Sequence, residues 1–253
     1  MVDYKQIAKE VRRDVLSLVH AGQTSHIASN FSLVDVAVVL YESLTNDDVV
    51  VWSKGWAAAL FYILGIRNGT LDRKTVFDIF PNAPYLGLLE RGVPGVITAG
   101  GSVGHGLSVA VGMALARKRS GTPGKVYCLM SDGEMNEGSV WEAAQLASHH
   151  KLNNLVGIVD SNGWQAMGRT KDVVDNGSLW QKWLGFGWST QDIDGHNFNH
   201  IINALASESD NKPRVIIAET TKGKGVSFME DHLTYHYKHV DDADYSKAME
   251  ELK

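Results

Sequence analysis

From residue 125 onward, short strand-like runs alternate with longer segments that have helical periodicity. The runs KVYCLM, NLVGIVD, STQDID and RVIIAET predict strands, and SVWEAAQLASHH, LWQKWLGFG and NHIINALASES predict helices between them. Strands separated by helices of about a dozen residues are typical of a parallel sheet with helices on both faces. The sequence therefore predicts an α/β fold with a doubly wound, mostly parallel sheet.

The N-terminal half predicts helices and one long ordered loop. Residues 3–20 are amphipathic, FSLVDVAVVLYESL has a helical period with Ser32 as its N-cap, and LSVAVGMALARKRSG is a helix ended by Gly121. Residues 81–106 contain three prolines and seven glycines and predict a loop of functional importance. Because no Ser- or Gly-rich linker divides the chain, residues 1–253 are predicted to form a single domain.

Composition narrows the possible functions. The 253 residues are 44% hydrophobic, enough for a packed core, and a net charge of −5 argues against a nucleic-acid or membrane-surface role. No apolar run approaches the ~20 residues of a membrane span, and the N-terminus lacks the apolar core of a signal peptide. The single cysteine, Cys128, excludes a disulfide framework and a thiolate metal site. A cytoplasmic protein with no nucleic-acid or membrane partner is predicted.

Acidic residues and glycines are concentrated in SDGEMNEGS, residues 131–139. Asp132 follows the predicted strand KVYCLM, and Asn162, thirty positions later, follows NLVGIVD. One crossover separates the two strands, so both side chains are expected at the carboxyl edge of the sheet, where ligands bind in such folds. A carboxylate and an amide oxygen suit Mg²⁺, whose coordination shell is often completed by oxygens of phosphates and water. Gly133 would let a phosphate approach the backbone N–H groups; the alternative is that the two polar residues only cap turns.

The segment SDGEMNEGSVWEAAQLASHHKLNNLVGIVDSNGW resembles the thiamine diphosphate fingerprint, an Asp-Gly pair followed about thirty residues later by Asn. The pieces AGQTSHIASNFSLVDVAVVLY, GSVGHGLSVAVGMALA, DIDGHN and TTKGKGVSFME occur in the order found in the N-terminal, diphosphate-binding domain of transketolases. The Asp–Asn motif indicates any thiamine enzyme, whereas DIDGHN and KGKGVSFME indicate the transketolase branch. This resemblance implies thiamine diphosphate and Mg²⁺ as cofactors.

The resemblance also assigns roles to cofactor-binding residues. Asp132, the Asn162 side chain and the backbone carbonyl of Trp164 would bind Mg²⁺, and Gly133 would donate to the diphosphate. The Trp164 ring itself is expected to pack in the core rather than to take part in the chemistry, since only its carbonyl is needed. Main-chain atoms of Gly101 would contact the aminopyrimidine ring of the cofactor, and those of Val103 would do the same.

The implied catalytic residues are three histidines and one glutamate. His26 matches a histidine that contacts the sugar, and His236 matches one near the diphosphate and the reacting carbon. His105 occupies a position that is usually glutamine and is a third candidate for proton transfer. Glu137 matches a glutamate that faces a dimer interface beneath the cofactor; the alternative is a first-turn helix glutamate favoured by the helix dipole.

Several positions depart from the family pattern. Trp56, in SKGW, occupies a position where the family has histidine, and Gly87 is nearest to the position of a second, missing histidine. Ser25 replaces a glycine before the first predicted catalytic histidine. These changes remove hydrogen-bond donors for a sugar and add a bulky indole. The substrate, a sugar or sugar phosphate, is therefore predicted to differ from the ordinary pentose phosphates.

A thiamine enzyme of this family also needs a glutamate carried by a pyrimidine-binding domain. The chain after TTKGKGVSFME is too short for another α/β domain. The resemblance therefore implies that the partner is a C-terminal transketolase subunit, in an α2β2 heterotetramer that transfers a two-carbon ketol unit. The alternatives are the α-subunit of a 2-oxoacid dehydrogenase and a non-catalytic protein that has kept the fold.

Overall fold

The computed structural model describes residues 2–209 and 211–253. Within them, five strands form one sheet in the order β1-β2-β3-β5-β4, and every neighbouring pair is parallel. The strands are β1 (Val49–Trp52), β2 (Val126–Ser131), β3 (Leu155–Ser161), β4 (Ser189–Asp194) and β5 (Arg214–Glu219). The predicted α/β fold with a parallel sheet is confirmed.

Helices flank the sheet and connect its strands. They are α1 (Tyr4–Gly22), α2 (Ile27–Phe31), α3 (Val34–Ser43), α4 (Ala58–Arg67), α5 (Arg73–Ile79), α6 (Gly106–Ser120), α7 (Gly138–His149), α8 (Thr170–Val173), α9 (Leu179–Gly185), α10 (Phe198–Ala206), α11 (Thr234–Tyr237) and α12 (Asp242–Glu251). Two short 3₁₀ helices, Gly55–Ala57 and Gly133–Asn136, follow β1 and β2. The predicted long loop lies between α5 and α6.

Alternate residues of the central strands face two separate cores. In β2, Tyr127 and Leu129 pack with α1, α3, α4 and α10, whereas Cys128 and Met130 pack with α6, α7 and α9. This alternation follows from the two-residue side-chain period of a strand. Because both faces of the central strands are buried, their sequences are almost continuously apolar.

The sheet places the ends of β2 and β3 side by side. Met130 pairs with Val159, and Ser131 pairs with Asp160. Asp132 follows the last residue of β2, and Asn162 follows the last residue of β3. The predicted meeting of these two residues at the carboxyl edge is therefore present in the structure.

The structure corrects one local prediction, adds a strand that was not predicted and explains why another strand is polar. The helix predicted over residues 31–44 is broken after Phe31, and Ser32 does not cap α3, because its hydroxyl donates to Asp160 instead. Strand β1 was not predicted; it is a four-residue edge strand, too short to show a pattern. The polar sequence of β4 is explained by its position at the opposite edge of the sheet, where its side chains are half-buried or exposed.

No helix in the described part of the chain has the length and apolar character to cross a membrane.

Candidate active site

A cavity of about 330 Å³ lies at the carboxyl edge of the sheet and gathers most of the predicted site residues. Those that line it are His26, Gly101, Val103, Gly133, Glu137, Asn162, Trp164 and His236, and Trp56 lines it as well. Asp132 lines an adjoining, wider cleft of about 560 Å³, while its neighbour Gly133 lines the cavity. His105 is not part of the cavity lining; it is exposed, immediately before the first residue of α6.

Asp132 is a buried carboxylate held by neutral donors. It is 3% exposed, and its Oδ2 accepts hydrogen bonds from the N–H of Gly163 at 2.9 Å and the hydroxyl of Thr170 at 2.8 Å. Its Oδ1 accepts from the N–H of Gly133 at 2.9 Å. Within the described residues, no lysine or arginine forms an ion pair with it. Burial raises the pKa of Asp132 despite these hydrogen bonds, as expected of a carboxylate that lacks a cation.

Asn162 is fixed by bonds on both ends of its amide. Its Oδ1 accepts from the Trp164 N–H at 3.0 Å, and its Nδ2 donates to Asp160 at 3.1 Å. Asp160 is fully buried and forms an ion pair with Lys54. Burial opposes ionisation of Asp160, but the Lys54 ammonium and the hydroxyl of Ser32 hold the pKa of the carboxyl below its usual value.

The oxygen atoms of Asp132 and Asn162 fit a magnesium diphosphate group. In the described ranges, 2–209 and 211–253, no three His, Cys, Asp or Glu side chains form a cluster that could hold a metal alone. The available set is instead one carboxylate, one amide oxygen and nearby backbone carbonyls. Such a set leaves several positions of an octahedral Mg²⁺ open for phosphate oxygens and water. A cation here would also neutralise the buried carboxylate of Asp132.

Glu134 anchors the glycine-rich loop, a role that the sequence analysis missed. Its buried carboxylate accepts hydrogen bonds from the Ser53 hydroxyl, from the Gly104 N–H at 2.8 Å and from the Ser131 N–H at 3.3 Å. Burial raises the pKa of Glu134 to about 6. A Cβ on Gly104 would lie 2.7 Å from the Cβ of Glu137, so the loop packs directly against that exposed glutamate.

Aromatic rings form another side of the cavity. The His26 ring stacks on Trp56, with centroids 4.4 Å apart and an angle of 16° between the planes. The His236 ring meets His26 edge to face with ring centroids 4.7 Å apart, and the Tyr237 ring does the same with centroids 5.8 Å apart. His26 has a left-handed backbone, φ 70°, and its N–H donates to the carbonyl of His236 at 2.9 Å. The residue at position 56 therefore supports a predicted catalytic histidine directly.

Both histidines are uncharged at neutral pH. Burial, followed by the charges of Lys222 and Lys54, lowers the pKa of His26 to about 4. Burial and the charge of Lys222 lower the pKa of His236 to about 3. Each ring therefore has one donor nitrogen and one acceptor nitrogen, which suits hydrogen bonding to sugar hydroxyls and proton transfer.

Lys222 is a second residue that the sequence analysis missed. It is 1% exposed, and its ammonium lies 2.9 Å from Nδ1 of His236. Burial and the nearby Lys54 charge lower the pKa of Lys222 to about 7. The only signal in the sequence is its position between threonines and glycines in TTKGKG, which does not reveal burial.

The Trp164 ring lies against charged groups. Its Nε1 donates to Asp231 at 2.7 Å, and the guanidinium carbon of Arg169 lies 3.9 Å from the ring centroid. Arg169 also forms an ion pair with Asp231. The ring is half-buried, belongs to neither hydrophobic core and lies against an exposed ion pair, so the expectation of core packing is wrong. The predicted metal contact needs only the main chain of this residue.

The sequence matches the family described as transketolase, thiamine diphosphate binding domain, over residues 4–252. The chain belongs to this family. The match spans almost the whole chain, including every predicted site residue. The family predicted from the sequence motifs is confirmed.

Curated relatives of similar length carry the names of transketolase subunits. The chain is 35% identical over 264 residues to one subunit of the apulose-4-phosphate transketolase of Actinobacillus succinogenes, covering 97% of this chain and 94% of the relative. It is 31% identical over 268 residues to SqwG, a subunit of the 6-deoxy-6-sulfo-D-fructose transketolase of a Clostridium species, covering 100% of this chain and 97% of the relative.

Solved transketolases share the fold. The transketolase from Campylobacter jejuni superimposes with a TM-score of 0.90 at 28% identity, covering 100% of this chain and 43% of that structure. The chain thus spans less than half the length of that transketolase. The names of the relatives favour a transketolase over a 2-oxoacid dehydrogenase subunit, and the prediction of a transketolase-type transferase is confirmed.

Proposed function

We propose that this chain binds thiamine diphosphate through Mg²⁺ and is the cofactor-binding subunit of a two-subunit transketolase. The reaction would transfer a two-carbon ketol unit from a ketose or ketose phosphate to an aldehyde. The observation that carries the proposal is the meeting of Asp132 and Asn162 at the ends of two parallel strands. They lie beside a cavity that also contains two neutral histidines, His26 and His236.

Each part of the cofactor would have its own residues. The oxygens of Asp132 and Asn162 and the Trp164 carbonyl would hold Mg²⁺, and the Gly133 N–H would donate to the diphosphate. Main-chain atoms of the glycine-rich loop, at Gly101 and at Val103, would contact the aminopyrimidine ring. When bound, the cofactor supplies the electron sink that allows the carbon–carbon bond beside the ketose carbonyl to break.

The histidines would handle the substrate and its protons. His26 and His236 line the same cavity, and their ring centroids are 4.7 Å apart, so one sugar can contact both. Both are neutral near pH 7 and can each accept or donate a proton at a hydroxyl. For Glu137 we propose contact with a second polypeptide beneath the cofactor, because its side chain is exposed at the cavity rim. A proton-transfer role for His105 stays a prediction; its exposed position favours contact with a partner polypeptide.

The substrate is proposed to be an unusual sugar. Trp56 stacks on His26 where the family pattern has a histidine, so the cavity has lost a polar contact and gained an apolar surface. The names of the relatives, which refer to apulose 4-phosphate and 6-deoxy-6-sulfo-D-fructose, support this view. A steady-state assay of the reconstituted enzyme with xylulose 5-phosphate and ribose 5-phosphate should show poor turnover. Full activity with this pair would overturn the substrate proposal.

The partner is proposed to be a C-terminal transketolase subunit whose pyrimidine-binding domain supplies a catalytic glutamate. Two relatives of similar length are named as subunits of a transketolase, which supports a second polypeptide. The purified chain should bind the cofactor but show no turnover until the partner is added, and light scattering should then report an α2β2 mass. The α2β2 assembly and the cytoplasmic location stay predictions.

Titration calorimetry tests the proposal most directly. Thiamine diphosphate with Mg²⁺ should bind the chain or its complex, and omission of Mg²⁺ or substitution of Asp132 should abolish the heat. If neither the chain nor its complex releases heat, the protein is not a thiamine enzyme, and the family fold would then serve another purpose.

A further inference from the structure

Ser25 contacts a ring nitrogen of His26, the histidine that follows it in the chain. Its Oγ lies 2.6 Å from Nδ1 of the imidazole, and among the described residues this hydroxyl has no other hydrogen-bond partner. Nε2 of the same ring has no hydrogen-bond partner within the described ranges, and the histidine lines the cavity. The serine therefore occupies one nitrogen of the ring and leaves the other for a ligand.

The backbone of His26 is fixed independently of its ring. Its N–H donates to the carbonyl of His236 at 2.9 Å, and its carbonyl accepts from Nδ2 of Asn30 at 2.8 Å. Asn30 is buried, and its Oδ1 accepts from the N–H of Leu60 in α4, the helix that follows the turn bearing Trp56. The segments that carry the two stacked rings are therefore tied together, and only the rotation of the imidazole remains to be set.

Trp56 and Ser25 restrain different motions of this imidazole. The indole stacks on it with centroids 4.4 Å apart and an angle of 16° between the planes, which restrains the tilt of the ring. The stack would be nearly as favourable if the imidazole turned over by 180°, because its two faces are alike. That turn would replace Nδ1 by a carbon atom, which cannot bond to the serine hydroxyl. Ser25 thus determines which edge of the ring faces the cavity.

The same contact sets the position of the ring proton. The pKa of His26 is lowered to about 4, so near pH 7 one of its nitrogens donates and the other accepts. Because the Ser25 hydroxyl has no other acceptor in the described part of the chain, donation to Nδ1 is the arrangement that satisfies it. The ring proton then lies on Nε2, where it can be donated to an oxygen atom of a sugar.

We propose that Ser25 is a positioning residue of this site, which donates to Nδ1 of His26 and thereby presents Nε2–H to an oxygen atom of the bound ketose. The proposal deepens the proposed function and rests on it for the identity of the ligand. Ser25 and Trp56 are both departures from the family pattern, and they meet on one ring. The two departures therefore act together on the histidine that is proposed to contact the sugar.

The first test needs neither cofactor nor partner. ¹⁵N spectra of the full chain, with His26 assigned from a His26→Gln variant, should show a single Nε2–H form of this histidine. Ser25→Ala removes the donor and should give a mixture of both tautomers, whereas Ser25→Thr retains a hydroxyl and should restore the single form. A wild-type proton on Nδ1, or an unchanged spectrum in Ser25→Ala, would overturn the proposal.

The second test uses steady-state kinetics of the reconstituted enzyme. The donor is whichever of apulose 4-phosphate, 6-deoxy-6-sulfo-D-fructose and xylulose 5-phosphate gives the highest wild-type turnover. Ser25→Ala should lower kcat/KM for this ketose by about twofold to tenfold, the range for one hydrogen bond, and Ser25→Thr should restore it. Calorimetry with Mg²⁺ should show the same affinity for thiamine diphosphate in Ser25→Ala and the wild type.

The matched control is Ser43→Ala. It removes a hydroxyl that donates to the Leu40 carbonyl at the end of α3, away from the cavity, and should leave both kcat/KM and the cofactor affinity unchanged. Melting curves show whether each variant is folded.

The outcomes separate this inference from the proposed function. If the reconstituted wild type neither binds thiamine diphosphate nor turns over a ketose, the proposed function fails, and the ¹⁵N spectra alone decide the contact between Ser25 and His26. If the wild type is active and Ser25→Ala keeps its kcat/KM, the presentation of Nε2–H to the ketose is refuted. If Ser25→Ala weakens thiamine diphosphate as much as it lowers kcat/KM, the assignment of the contact to the ketose is refuted.

Discussion

Two sides of the candidate active site are built in different ways. On the strand side, Asp132 and Asn162 extend directly from β2 and β3 and are held by N–H groups of their own turns. On the aromatic side, His26, Trp56 and His236 come from three separate segments and are held by contacts between rings. The first arrangement follows from backbone geometry, whereas the second depends on side-chain packing.

This difference explains where the site can change. The ends of parallel strands fix two oxygen-bearing side chains with little freedom, so we expect the strand side to hold the cofactor, which is the same in every reaction of the family. Ring contacts can be exchanged by single substitutions, so the aromatic side suits the substrate. Trp56 in place of the family histidine is an example of such a change.

The largest effect is expected from Asp132→Asn. Removing the charge should weaken Mg²⁺-dependent cofactor binding by more than about a hundredfold, since even outer-shell partners of a metal contribute about 10–100-fold. Folding stability should also fall, by about 1–3 kcal/mol, because the NH2 of the amide would face the N–H of either Gly133 or Gly163, both of which donate to the carboxylate in the wild type.

Calorimetry and melting curves measure the two effects. Asp47→Asn, exposed before the first residue of β1 at the opposite edge of the sheet, is the control and should leave the affinity unchanged. Equal affinity in Asp132→Asn and the wild type would show that the strand side does not hold the metal.

The stability of the folded protein is expected to depend on pH through His26, on the aromatic side of the site. The pKa of His26 is lowered to about 4 in the folded state, so the unfolded chain binds more protons below pH 6.5, and stability is lost as the pH falls toward 4. Between pH 7 and pH 5, His26 should remove about 2 kcal/mol from the free energy of unfolding.

Urea denaturation at both pH values checks this expectation. His26→Gln should be less sensitive to acid by that amount, whereas His149→Gln, exposed at the end of α7, should behave like the wild type. A variant His26→Gln that is as acid-sensitive as the wild type would contradict the buried, neutral ring.

A glycine pair holds the Trp56-bearing turn in place. A Cβ on Gly55 would lie 2.1 Å from the Cα of Gly100, so Gly55→Ala should force this turn and the glycine-rich loop apart. The expected loss is about 1–3 kcal/mol, as for other overpacked sites. Gly112→Ala, at an open position inside α6, is the control and should gain about 0.5–1 kcal/mol. Thermal melts that rank the two variants in the opposite order would refute the close approach.

The smallest effect is expected from Trp56→His. Loss of the stacked indole should cost about 0.5–1.5 kcal/mol of stability. The added polar ring should also raise turnover of pentose phosphates relative to the natural sugar in the reconstituted enzyme. Leu146→His, on the exposed surface of α7, is the control. A substrate ratio that stays constant in Trp56→His would show that this residue does not select the sugar.

The prediction from sequence succeeded where the location of a residue follows from its position along a strand. The apolar runs predicted β2 and β3, and the thirty-residue spacing then placed Asp132 and Asn162 together. The prediction was less complete where function follows from burial. The sequence analysis gave Glu134 no role, because nothing in the neighbouring sequence shows that Ser53 and the glycine-rich loop donate hydrogen bonds to it.

The sequence by itself determined four strands of the sheet, the family and the neighbouring positions of Asp132 and Asn162, since strand patterns and turn residues act within a few positions of one another. Only the tertiary structure decided which charged groups are paired and which are not. Lys54 meets Asp160 across 106 positions of the chain, while the contact of Lys222 is a neutral histidine. Desolvation and pairing depend on distances between remote segments, so the charge and pKa of these groups are properties of the folded cavity.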